Sequence, residues 1–141
     1  MMRGYLGPSR AAPRKAPRSK PEWRVNEAYR QWVRGRACFL SGHRAGGCGD
    51  VPGRKPVEFA HVDCAGGKGV GLKVSDEFGL PLCPRHHDEQ HGKIGSFSQR
   101  GGWKTFQLKY GFNAVTEAKG LWNDWLSTPM GKRWTEDRRN A

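Results

Sequence analysis

Long apolar runs are missing from this chain. No stretch approaches the ~20 residues that a membrane-spanning helix needs, so no membrane partner is expected. The start, Met1 to Pro8, lacks the apolar segment of a secretory signal. The chain is therefore expected to stay in the cytoplasm, which is the bacterial host cytosol if it is phage-encoded. Apolar residues are scarce, at 35% of 141. A core drawn from so few is marginal, and small domains in that position often add a metal ion or disulfides. In a reducing cytosol the four cysteines read as metal ligands rather than disulfides.

Acid is short as well. Asp and Glu number 13 against 25 Lys and Arg, a formal net charge of +12. A field of that sign attracts phosphate backbones and releases their counterions, so nucleic acid is the expected partner. No acidic residue precedes Glu22, while Pro8, Pro13, Pro17 and Pro21 interrupt a run of Arg and Lys. Residues 1–22 are expected to form a disordered basic arm. It serves either as a non-specific DNA tether or as a solubilising tail.

Ordered structure should begin at Trp23. Val25, Ala28, Tyr29, Trp32 and Val33 recur at helical spacing as far as Arg34, and Gly35 is placed to stop the helix. Towards the other end, Trp103, Phe106 and Tyr110 share one helical face. After Gly111, Ala114, Ala118, Leu121, Trp122 and Trp125 make a second stripe, with Asn113 as N-cap. These aromatics read as core. The segment 128–141 is charged, mostly basic, and expected to fray.

All nine Cys and His residues fall between Cys38 and His91. Cys83-Pro-Arg-His86 is a C-x-x-H pair, able to clasp one ion from a tight turn. Closed zinc sites take four N or S ligands, so a second pair must come from upstream. Cys38 and Cys48 are preferred because structural zinc favours thiolates. His43 is the substitute for either, and Cys64 also competes. Without a metal, these residues would be buried reduced cysteines packed as small hydrophobes.

Leu82 to Gly92 reads as a short helix, with Pro84 tolerated in its first turn and Gly92 as its stop. His87 and His91 are four apart, so both rings project from one face and can grip one ion. His86 turns about 100° away, towards Cys83. Upstream, alternation puts Val57, Phe59 and His61 on one face of a strand. Gly79-Leu-Pro-Leu82 is its expected partner, which predicts a β-hairpin followed by a helix. The intervening loop carries Gly66, Gly67, Gly69 and Gly71, with Lys68 and Lys73 to contact phosphate or solvate the loop. It lacks the G-x-x-x-x-G-K-[ST] pattern and setting of a P-loop.

Ala60-His61, Pro81-Leu-Cys-Pro-Arg-His-His87 and His91 together resemble the HNH endonucleases, also called ββα-metal or His-Me finger nucleases. The segment 67–83 is similar to a zinc-bearing phage and prophage branch that includes the phage recombination-enhancement nucleases. The resemblance covers about residues 36–95. It implies an α+β fold, with a small zinc-stabilised ββα-metal core at about 56–92. That core sits in a nuclease domain spanning 23–127, whose C-terminal helices occupy about 103–127.

The same resemblance implies that His61 is the general base, with His87 and His91 on a catalytic Mg²⁺ or other divalent metal. Cys38, Cys48, Cys83 and His86 would hold structural Zn²⁺. Implied partners are DNA and a recombinase filament. A non-catalytic zinc-dependent nucleic-acid-binding or recombination accessory protein would share the charge and the Cys/His count. Two positions depart from the family pattern. Ala60 stands where many members carry a metal-binding Asp or His, and the middle asparagine falls near Phe78. Asp76 or Asp63 is left to supply a carboxylate to the metal, and Asp76 is preferred because it precedes the second strand.

Overall fold

The computed structural model describes residues 25–43, 47–65, 74–92 and 102–140. The expected basic arm and the loop lysines Lys68 and Lys73 lie outside them. Helix α1 (Glu27–Arg34) is capped by Asn26, whose side chain accepts from the Tyr29 N–H. Glu27 in its first turn and Arg34 in its last suit the helix dipole.

Strands β1 (Glu58–His61) and β2 (Gly79–Leu82) pair antiparallel, with Glu58 opposite Leu82 and His61 opposite Gly79. Outside the ladder, the Val62 N–H bonds the Phe78 carbonyl. Gly79 is required by close approach, because any Cβ there would fall inside the Phe59 ring. Helix α2 (Pro84–Gln90) follows β2 directly. The expected hairpin and helix are thus present, and Phe59 and His61 share a face as alternation requires, their rings 4.9 Å apart.

Helices α3 (Trp103–Tyr110) and α4 (Ala114–Leu126) also match expectation, down to the Asn113 cap and a left-handed Gly111 between them. The segment after Thr128 does not. It was expected to fray, but Pro129–Arg139 forms helix α5. Thr128 caps it by accepting from the Gly131 N–H, and Pro129 occupies its first turn. Trp134 then packs against Trp122, ring centroids 5.2 Å apart, and against Trp125 at 5.8 Å. Gly131 allows this, since a Cβ would run into the backbone of Trp125 and Leu126.

Two clusters make the core. One joins the sheet to α3 and α4 through Ala60, Leu80, Leu82, Phe106 and Ala118. The other gathers Tyr29, Val33 and Trp125, with Phe59, Trp122 and Trp134 packed around them. Glu89 of α2 is buried against α3, bonded by Lys109 and, at 2.7 Å, by the Tyr110 hydroxyl. Burial pushes its carboxyl up, but those two donors outweigh burial and hold it below the usual range. The described residues are thus mixed α and β, a two-stranded sheet with five α-helices. Among them no helix is long and apolar enough to cross a membrane.

Candidate functional site

Cys83 follows β2 and caps α2, its sulfur accepting from the His86 N–H. The C-x-x-H spacing thus turns thiol and imidazole to the same side. Cys38, in the loop after α1, and Cys48, in a glycine-bearing stretch, bring two further thiols to the group. Arg85 secures that stretch by donating to the Gly47 carbonyl at 2.8 Å. The three sulfurs lie 3.4 Å (Cys38), 3.8 Å (Cys48) and 3.1 Å (Cys83) from His86 Nδ1. A tetrahedral zinc ion with ordinary bond lengths would put S and N about 3.6 Å apart, close to the Cys38 and Cys48 distances and longer than that of Cys83.

Cys38, Cys48, Cys83 and His86 can therefore hold a metal ion, with ligand atoms all within 4.8 Å of one another. The donor set is compatible with a closed structural zinc site. In the absence of a cation, burial pushes the Cys38 thiol up to about 12, and the neighbouring thiols add to that. A bound cation reverses the preference and favours the thiolate. His43 does not compete: its Nε2 sits 3.2 Å from the Tyr110 carbonyl. Cys64 is exposed and outside the group.

The opposite side of α2 carries the second feature. His87 Nε2 and His91 Nε2 face each other at 3.2 Å, as the four-residue spacing requires. His87 Nδ1 lies 3.1 Å from Glu58 Oε1. Arg54 holds that carboxylate with two of its nitrogens and reaches Asp88 with a third, at 2.8 Å. The Arg54 hydrogen bonds lower the Glu58 pKa against the effect of burial, and His87 adds to the lowering. An ionised carboxylate only accepts, so His87 Nδ1 carries a proton, and in the neutral imidazole Nε2 presents its lone pair.

His61 stands elsewhere. Three residues from Glu58 on a strand, it points to the other face of β1. Its Nε2 lies 2.9 Å from Asp76 Oδ1. Asp76 is 1% exposed and accepts also from Arg30 Nε at 2.7 Å, Arg30 Nη2 at 2.8 Å and the Asn26 N–H at 2.7 Å.

This arrangement corrects one expectation, that of Asp76 as a metal ligand, and His61 does not join His87 and His91 as a third ligand. Among the described residues, the Cys/His cluster is the single group of three or more potential ligands that closes to within 4.8 Å. Asp76 faces His61 and α1, with both oxygens engaged by donors, and is not placed as a ligand beside His87 and His91. Ala60 is fully buried in the core, and Asp63 is exposed in a short 3-10 turn, Asp63–Ala65. Glu58, Arg54 and Arg30 went unnoticed in the sequence. The available signal was a carboxylate within a four-residue strand, preceded four residues earlier by an arginine.

The chain belongs to a family described as a protein of unknown function (DUF968), whose model matches residues 14–118. It is also 33% identical over 97 residues to the "Uncharacterized protein YdfU" of Escherichia coli (strain K12). Those residues make up 69% of this chain and 24% of the relative, so the chain spans about a quarter of that protein's length. No solved structure matches.

Proposed function

We propose that this chain is a metal-dependent DNA endonuclease of the HNH type, with a structural zinc ion in the Cys38, Cys48, Cys83 and His86 centre. The observation that carries the reading is the 3.2 Å approach of His87 Nε2 to His91 Nε2 on the helix that follows the hairpin. Two nitrogens bonded to one ion at ordinary lengths lie about 2.9–3.4 Å apart. Glu58 fixes the His87 tautomer that such binding needs. A divalent cation held there supplies charge neutralisation at a phosphodiester. His61 takes the proton of the attacking water, a role suited to imidazole chemistry. The net charge of +12 favours DNA as substrate and the basic arm as a tether. The site of action is the cytoplasm.

The test is nicking of supercoiled plasmid with Mg²⁺, Mn²⁺ or Ni²⁺, beside a His61→Ala variant. The parent chain should nick, and the variant should be slower by about a hundredfold or more. Equal cleavage by both refutes the assignment of His61. One observation favours a second reading. Ala60 is fully buried, so the position before His61 offers no ligand. A non-catalytic zinc-dependent nucleic-acid binder, acting alone or on a recombinase filament, would bind DNA with a steep salt dependence and leave no products.

A further inference from the structure

We infer that His61 works as half of a His–Asp dyad in which Asp76, clamped by Arg30 of α1, holds the imidazole as its Nε2–H tautomer and leaves Nδ1 as the basic nitrogen. The inference deepens the nuclease reading and rests on it for the role of His61. The tautomer follows from hydrogen-bond logic. Asp76 is gripped by Arg30 through two nitrogens and by the Asn26 N–H. A carboxylate so surrounded by donors stays ionised and can only accept. The 2.9 Å contact to His61 is then an Nε2–H donating to Oδ1. A neutral imidazole has one N–H, so the lone pair sits on Nδ1.

The His61 side chain is 29% exposed, whereas that of Asp76 is 2% exposed. Water and substrate therefore reach the imidazole and not the carboxylate. In the step proposed, a water proton passes to Nδ1 while the water oxygen bonds to phosphorus. The bond from phosphorus to the leaving sugar oxygen breaks, and solvent reprotonates that oxygen. Asp76 stabilises the imidazolium that forms and does not itself take the proton. Asp76 and Arg30 are thus positioning residues, and α1, outside the hairpin and its helix, becomes part of the machinery.

The test uses the full chain, zinc-loaded and ¹⁵N-labelled, at about pH 9, where an ordinary imidazole is neutral. Long-range ¹H–¹⁵N correlation reads each histidine tautomer, and His61 is assigned by its loss in His61→Ala. The parent should show Nε2–H at His61, and Asp76→Ala should let both tautomers populate. An Nδ1–H tautomer in the parent overturns the dyad, and that result does not depend on Asp76→Ala folding. Asp76→Asn should slow nicking by about tenfold or more with zinc content unchanged. Nicking at the parent rate overturns the positioning role. A parent chain that never nicks refutes the nuclease reading, while the tautomer spectrum still decides the dyad.

Discussion

Replacing Asp76 by alanine should be among the most destabilising single changes outside the metal centre. The side chain joins three segments: the entry of α1 through the Asn26 N–H, α1 itself through Arg30, and the end of β1 through His61. Its loss strands a buried N–H and an arginine whose side chain is only 23% exposed. Removing one member of a buried ion pair costs about 3–5 kcal/mol. Arg30 keeps some contact with water, so the lower end, about 3 kcal/mol, is expected. Against a total of about 5–15 kcal/mol for such a domain, that is a large share.

With a urea dependence of about 1.5 kcal/mol per molar, the midpoint should fall by about 2 M. Tryptophan fluorescence in saturating zinc reads it. The pH dependence has a definite sign. Burial works to raise the Asp76 pKa, but the bonds from His61, Arg30 and Asn26 win, and its carboxyl titrates well below the usual range. A carboxyl depressed in the folded state contributes stability above its unfolded value of about 3.9. That contribution is lost as pH falls towards the folded value. The gap between parent and variant should therefore begin to shrink below about pH 5 and go on shrinking well below about pH 3; zinc loss in acid affects both chains alike. A gap under about 1 kcal/mol at neutral pH, or one that does not close in acid, would refute this account.

Metal analysis of the purified chain should find one zinc per molecule, released on substitution of Cys38, Cys83 or His86 and retained in His43→Ala and Cys64→Ser. Retention after loss of Cys83 or His86 would refute the assignment. Glu58→Gln should weaken divalent binding at His87 and His91 by about 10–100-fold, measured by calorimetry on the zinc-loaded chain. An unchanged affinity would detach Glu58 from that pair. Trp134→Ala should cost about 2 kcal/mol by urea unfolding, roughly half the value for a fully buried tryptophan. A neutral result would mean that α5 does not stabilise the Trp122 and Trp125 cluster.

Much of the local structure was legible in the residues themselves. The alternation at Phe59 and His61, the cap at Asn113, the glycine at 111 and the C-x-x-H turn are short-range patterns, set by dihedral preferences and the 3.6-residue repeat. Helix α5 escaped because its charged face masks a single packing residue, Trp134. Its signals were the Thr128-Pro129 start and that lone aromatic.

By itself the sequence determined which neighbours share a face, including His87 with His91 and Cys83 with His86. The sequence also favoured Cys38 and Cys48 for the metal group, and tertiary structure chose them over His43 and Cys64; it alone decided that Asp76 bonds His61 and that Glu58 bonds His87. Those partners lie 15 to 48 residues apart. No helical or strand period reaches so far, and what brings such residues together is the burial of a shared core.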